Sequence, residues 1–341
     1  MLMNTDFVRN SSERSGSERV NDPLSDVLEL VHARCGLSGR LIAGGVWARR
    51  FANMDAIKLC AAIKGTCWCF MDGMGEPARF ERGDVLIMNG TRSLILASDP
   101  NGISEAVATP LVQDDDGNYR LGHGDEFVML GGMVHIQDRR QFLLLAGLPP
   151  LIHVSGAAPE SANLSWLLEH IVEEMGSPVR PGRSVVMAEL AQLLFVQTLR
   201  AYLTRAPAAD GGWLKGLGDK RLALALARMH AAPSHLWNLD DLAHEAGMSR
   251  TGFAVHFRQV MGTPPLTYLT SWRMHLAARD LRAGASIAEA AEAAGYTSES
   301  AFSNAFKRTM GVAPGRLRKA AGEDNLERVS ESTLNAAVDV I

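Results

Sequence analysis

The 341-residue sequence lacks any apolar run near the roughly 18 residues that a membrane-spanning helix needs, so no helical membrane span is expected. Residues Met1 to Asn21 are polar and rich in Ser, Arg and Glu, with no apolar stretch leading to a cleavage site. They read as a disordered lead-in, and the protein as cytoplasmic. Cysteine is scarce: Cys35, Cys60, Cys67 and Cys69 are too few for a disulfide scaffold, and no second cysteine or histidine pair completes a zinc-ligand set. Cys67 and Cys69 are two apart in an apolar run, so on a strand they share a face. The expectation is four small buried thiols; a redox sensor built from Cys35, Cys60, Cys67 and Cys69 is the alternative. There is no Ser/His/Asp constellation, phosphate-binding glycine loop or His-x-His with a following Glu. No catalytic residue, cofactor or metal is therefore expected, although His123 and His135, twelve apart across a glycine-rich turn, could be weighed as a metal pair.

Net positive charge is also missing, since the chain carries -4 overall. The distribution is uneven. Between Trp213 and Ala320 there are 14 Lys+Arg against 8 Asp+Glu, a balance of +6 that leaves -10 on the remainder. That makes the C-terminal third the candidate region for binding a polyanion.

Three kinds of pattern follow one another. From about Leu24 to Val154 short apolar runs such as Ile57 to Ala62, Val85 to Met88, Leu94 to Ala97 and Phe127 to Leu130 alternate with turns rich in Gly, Asp and Asn. Closely spaced short strands predict an all-β sandwich or barrel over residues 22–155. From Ser161 to Ala206 the period becomes helical. Leu164, Leu167, Leu168 and Ile171 form one stripe; Val186, Leu190, Leu193, Leu194, Gln197 and Leu199 form the second. These two helices, over 161–206, either pair subunits as a homodimer or pack on the barrel. After a short Pro/Ala/Gly linker, residues 213–320 read as all helix, with an acidic tail over 321–341.

The helical region contains a copy of itself. Asp241 to Gly262 and Glu289 to Gly311 align so that Phe253 and Phe257 match Phe302 and Phe306, and Gly262 matches Gly311. In the first copy Leu239, Leu242, Ala243 and Ala246 form the stripe of a short helix, which Gly247 ends and after which Ser249 caps the next. In the second copy Ile287, Ala290, Ala291 and Ala294 do the same, with Gly295 and Ser298. Each unit is predicted to be a helix-turn-helix, over about 239–261 and 287–310. Its second helix would enter a DNA major groove N-terminus first. Setting aside the buried anchors leaves Ser249, Arg250, Thr251, Gly252, Ala254, Val255 and Arg258 as candidate contacts in the first motif. Ser298, Glu299, Ser300, Ser303, Asn304, Lys307 and Arg308 are those of the second. Arg reads guanine, Asn reads adenine, and Ser and Thr are versatile, whereas Arg258, Lys307 and Arg308 lie further along and suit phosphates.

The stretches Leu242-Ala-His-Glu-Ala-Gly-Met-Ser-Arg250, Gly262-Thr-Pro-Pro-Leu-Thr-Tyr-Leu269, Gly295-Tyr-Thr-Ser-Glu-Ser-Ala-Phe302 and Phe306-Lys-Arg308 resemble the AraC/XylS family of transcription regulators. Arg82-Gly-Asp-Val-Leu-Ile-Met88, Ser98-Asp-Pro100, Gly131-Gly132 and Leu148-Pro-Pro-Leu-Ile152 resemble the sub-group whose sensor domain is a cupin-type barrel. The resemblance implies an α+β chain: a cupin-like β-barrel, connecting helices, and a C-terminal all-α domain with two helix-turn-helix motifs. It implies binding to double-stranded promoter DNA, RNA polymerase as partner and a small-molecule effector in the barrel. The family often has Arg where this chain has Val255 and Asn304, so its target sequence does not carry over.

Overall fold

A computed structural model of the chain describes residues 22–320 apart from 54–55, 74, 102–109, 116–117, 137–146, 177–179 and 206–211. The expected lead-in and acidic tail lie outside the described residues.

The first element is a helix, α1 (Pro23–Leu30), in a segment where the sequence pattern gave only strands. Asp22 caps it by accepting from the Leu24 N–H at 3.1 Å, and Pro23 occupies the first turn, where no backbone donor is needed. Eleven strands follow: β1 (Arg34–Gly44), β2 (Ala48–Phe51), β3 (Ile57–Lys64), β4 (Thr66–Met71), β5 (Ala78–Glu81), β6 (Val85–Met88), β7 (Leu94–Ala97), β8 (Val112–Gln113), β9 (Tyr119–Gly122), β10 (Phe127–His135) and β11 (Leu151–Val154). They form a seven-stranded sheet in the order β11-β6-β3-β10-β1-β9-β8 and a four-stranded sheet in the order β2-β7-β4-β5. All four apolar runs chosen from the sequence are strands.

The period of two sorts β1, β3, β6, β10 and β11 of the larger sheet between two cores. On β3, Cys60 and Ala62 face the smaller sheet, whose Cys67, Cys69, Met71, Phe80, Leu94 and Leu96 complete the barrel interior. The alternate residues Ile57, Leu59 and Ala61 face outward into a second apolar cluster. The Arg82-Gly-Asp turn before β6 is a structural clasp. Buried Asp84 accepts from the backbone N–H groups of Glu81 and Gly156 and lies 2.9 Å from His153 Nε2. Burial alone would raise its pKa, but these hydrogen bonds outweigh it and hold the carboxyl below its usual value.

The outer face of the sheet is covered by α2 (Ala162–Gly176) and α3 (Arg183–Arg205). Leu164, Leu167, Leu168 and Ile171 of α2 are buried as their spacing predicts. On α3 the expected stripe is met in part: Leu194 and Leu199 are buried and Leu190 packs against the cluster, but Val186 and Leu193 are exposed while Ala191, Phe195, Thr198 and Tyr202 are buried instead. The reason is that a polar residue, Gln192, also faces the sheet. Its Oε1 accepts from the Cys35 N–H at 2.8 Å and its Nε2 donates to the Ala33 carbonyl at 3.2 Å, fastening α3 to the start of β1.

Seven helices complete the described chain: α4 (Trp213–Gly218), α5 (Lys220–Ala231), α6 (Leu239–Glu245), α7 (Arg250–Met261), α8 (Pro265–Arg282), α9 (Ile287–Ala293) and α10 (Glu299–Met310). The outer cluster of the barrel continues without a break through α1, α2 and α3 into α4 to α7 and as far as Trp272 on α8. The second motif has a core of its own, made by Met274, Ala277, Ala278 and Leu281 of α8 with Ala290, Ala291, Phe302 and Phe306.

One polar cluster lies within the continuous junction. His230 on α5 is buried, with Nδ1 at 3.2 Å from Asp26 of α1 and Nε2 at 2.8 Å from the Tyr268 hydroxyl on α8, and its ring stacks on Trp272 at 3.9 Å. Both partners are satisfied by one neutral tautomer, in which Nδ1–H donates to Asp26 and Nε2 accepts from Tyr268. Burial pulls the His230 pKa below its ordinary 6.5, against the opposing pull of Asp26 and Asp22. His230→Ala leaves the buried Tyr268 hydroxyl unpaired and removes a stacked ring, so it should cost about 2–4 kcal/mol in urea denaturation at pH 7.5. The unfolded state takes up the proton first, so this contribution is complete above pH 6.5 and declines as pH falls toward the folded-state value. The gap between wild type and His230→Ala should therefore narrow at pH 5.5; a gap that widened would contradict the neutral ring.

Candidate nucleic-acid interface and sensor cavity

The two motifs are built by the same local rules. Asn238 and Asp241 form a capping box at the start of α6, and Ser286 and Glu289 form one at the start of α9. Gly247 and Gly295 follow these helices with φ of +60° and +75°, the left-handed conformation that reverses the chain. Ser249 then caps α7 through the Gly252 N–H, and Ser298 caps α10 through the Ala301 N–H. Phe253, Phe257, Phe302 and Phe306 are fully buried, which fixes the rotation of α7 and α10 about their axes. His256 adds a further tie: its Nε2 lies 2.7 Å from Asp219, the cap of α5.

That rotation decides which candidates are presented. Ser249, Arg250, Thr251, Val255 and Arg258 are exposed on α7 and its cap, as are Ser298, Glu299, Ser300, Asn304, Lys307 and Arg308 on α10 and its cap. Gly252, Ala254 and Ser303 are only half-exposed. Gln259, Thr297 and Ala301 are exposed beside them and were not singled out from the sequence; the same subtraction of anchors, carried one position further, finds them. Arg250 does not project freely, because its Nη1 lies 3.2 Å from Asp240 of α6. Arg258, Lys307 and Arg308 have no carboxylate partner among the described residues. Glu299 opens α10, where a carboxylate complements the positive end of the helix.

Within the barrel a cavity of about 340 Å³ opens between the two sheets near β1, β3 and β10. Leu41, Met88, Leu94 and Met129 give it apolar walls, and Lys58 and Arg92 reach it as well; Arg40 pairs in register with Leu130 of the outer cluster, so its side chain lies on the opposite face, bonded to Asn118. The sequence reading missed these cations, although the period of two places Lys58 on the same inner face as Cys60 and Ala62. His123 and His135 flank opposite ends of the nine-residue β10, about 30 Å of extended chain, so they share no metal.

All four cysteines are reduced and buried. Cys60, Cys67 and Cys69 lie in the barrel interior, and Cys35 faces α3. Burial pushes the Cys35 and Cys60 thiols up to about 12 and Cys69 to about 11, and raises Cys67 as well.

Comparison with known proteins agrees with this architecture. A family profile described as Cupin matches residues 22–204, and one described as Helix-turn-helix domain matches residues 242–320. An AraC-like transcription regulator of Streptomyces lividans is 42% identical over 300 residues, covering 87% of this chain and 98% of the relative. A second, from Streptomyces antibioticus, is 40% identical over the same shares. The RCS-specific HTH-type transcriptional activator RclR of Escherichia coli is 30% identical over 59% of this chain and 72% of its own. Fold and interface together define a DNA-binding transcription regulator rather than an enzyme. The chain belongs to the AraC-like family of these regulators, with a cupin N-terminal half.

Protonated, buried thiols are poor nucleophiles. Native protein treated with iodoacetamide at pH 7.5 should take up no label within the time that labels all four cysteines in urea, as read by intact mass. Rapid native labelling at Cys67 or Cys69 would contradict the burial seen here.

Proposed function

We propose that this regulator grips promoter DNA with α7 and α10 in two successive major-groove segments, and that a small molecule in the barrel cavity controls the grip. The observation that carries the first part is the matched pair of capped, phenylalanine-anchored helices joined by α8. At 18 residues α8 is about 27 Å long, comparable with the roughly 34 Å between major-groove segments on one face of the duplex. Arg250, Thr251, Val255, Ser300, Ser303 and Asn304 then face base edges, with Ser249, Gly252, Ala254 and Ser298 close to the sugar-phosphate backbone. Arg258, Lys307 and Arg308 neutralise phosphates. Glu299 accepts from a cytosine amino group or serves only the helix end.

The effector part rests on the cavity, which falls within the usual size range of ligand pockets, and on the continuity of the outer core from barrel to first motif. RNA polymerase is the partner at the promoter, in the cytoplasm. The exposed Val185, Val186 and Leu193 on α3 and Trp166 on α2 suit a homodimer contact. Thiol redox sensing by Cys35, Cys60, Cys67 and Cys69 is less well supported, because their burial keeps them protonated.

Genome-wide crosslinking and immunoprecipitation should give a few sharp peaks upstream of genes; diffuse signal would count against specific readout. On a fragment from the strongest peak, Lys307→Ala should weaken binding to all sequences alike and reduce the salt slope by about one. Arg250→Ala should cost about 1–3 kcal/mol and relax preference at one base position. If neither variant changed binding, the groove assignment would be wrong.

A further inference from the structure

We infer that Arg273 and Gly295 are positioning residues that set the offset between the two recognition helices, and so decide which operator spacing the regulator accepts. This rests on the reading that α7 and α10 enter successive major-groove segments, and names the contact that keeps them in step.

Arg273 stands at a boundary on α8. Trp272 before it belongs to the core of the first motif, and Met274 after it to the separate core of the second. Two bodies joined by one helix turn about it as about a hinge unless a second contact braces them.

The brace is the loop 232–238 between α5 and α6, which is part of the first motif. It is folded on itself: the Trp237 indole N–H donates to the Ala232 carbonyl at 2.9 Å, and the Trp237 backbone N–H donates to the His235 carbonyl at 2.8 Å. The Trp237 side chain packs against the first core, and Asn238 caps α6. Arg273, half-buried, grips this loop with two arms of its guanidinium. Its Nε donates to the Pro233 carbonyl and its Nη2 to the His235 carbonyl at 2.7 Å. A charged planar fork on two acceptors is stronger and more directional than a neutral pair.

Those two carbonyls flank Ser234, and Ser234 is where the second motif meets the loop. A Cβ on Gly295, in the turn between α9 and α10, would lie 2.6 Å from the Ser234 carbonyl oxygen and 3.2 Å from its Cα. The turn rests there on backbone, with no room for a methyl group. Gly247 holds the same place in the first motif, also in the left-handed conformation, yet a Cβ on it would meet nothing within 4 Å. Backbone conformation alone accounts for Gly247, whereas Gly295 answers to a second demand, the close approach to Ser234. Helix α8, the loop and the α9–α10 turn thus meet around one residue, and α10, which follows that turn, is held at a fixed offset from α7.

The test is a fluorescence-anisotropy titration of the full chain on a fragment from the strongest crosslinking peak, and on the same fragment with one base pair inserted between the two segments that hydroxyl-radical footprinting shows to be protected. The insertion moves the second segment by about 3.4 Å and turns it by about 35° round the duplex. Wild type is expected to bind the native spacing about tenfold or more tighter. Arg273→Met and Gly295→Ala should each shrink that ratio about three- to tenfold, with thermal melts confirming that the variants are folded. Arg273→Lys, which keeps the charge but cannot span both carbonyls, should fall between. Gly247→Ala carries the backbone strain without the collision and should keep the wild-type ratio. Loss of folded protein lowers both affinities together, so a merely structural role does not move the ratio. A ratio unchanged in either Arg273→Met or Gly295→Ala overturns the inference and leaves the two-segment reading standing; an equal fall in Gly247→Ala overturns it too. Wild type that binds both fragments alike overturns the two-segment reading itself, and the inference with it.

Discussion

Burial of the outer face of the seven-stranded sheet is the constraint on which the rest of the molecule depends. Ile57, Leu59, Ala61, Val85, Ile87 and Leu130 must be covered, and the residues that cover them belong to helices that also carry the DNA-binding half. The two functional halves are thus not beads on a linker. They share one apolar cluster, and α1 is wedged into it from the N-terminal side. The polar tie at its heart, Asp26 to His230 to Tyr268, adds direction to a contact that apolar burial alone would leave free to slide. Hydrogen bonds with fixed donors and acceptors admit one relative placement of α1, α5 and α8.

The two copies of the motif are held in unequal ways as a result. The first shares its core with the barrel's outer face; the second has a separate core and meets the rest of the chain chiefly through α8. A change at the outer face of the barrel reaches α7 through packed side chains and reaches α10 through α8 and through the close approach of Gly295 to Ser234. The similarity of the copies in sequence therefore hides a difference in packing: one shares the core of the barrel's outer face and the other has a core of its own.

The motifs were legible in the sequence because their rules are local. A serine cap, a glycine in the left-handed conformation and two phenylalanines four apart each act within a turn or two, so they can be read without knowing what lies opposite. The short strands were legible for the same reason. What failed was whatever depended on a distant partner. The α3 stripe was misassigned in part because Gln192 faces the sheet, and nothing near it in sequence reveals that Cys35 and Ala33 need its amide. Helix α1 was overlooked although Asp22-Pro23 announces it. Lys58 was passed over because an isolated lysine in an apolar run looks like an exposed end; the period of two puts it with Cys60 and Ala62, but which face of β3 is the inner one follows from the register with β6 and β10.

That register also ties the interior of the barrel to the apolar cluster outside it. Lys58 and Cys60 face the cavity side, while Ile57, Leu59 and Ala61 on the same strand pack into the cluster shared with the helices. The two environments are separated by the thickness of one strand, and β1 repeats the arrangement, with Leu41 in the barrel interior and Cys35 bonded to α3. A ligand shifts the regulator only as far as it binds one arrangement of these strands better than another. β3 and β1 are both paired to β10, which lies between them. Closing or spreading these three strands alters the surface offered to α2 and α3, because close-packed side chains transmit small displacements instead of absorbing them. The barrel interior and the apolar cluster outside it are thus lined by alternate residues of the same strands.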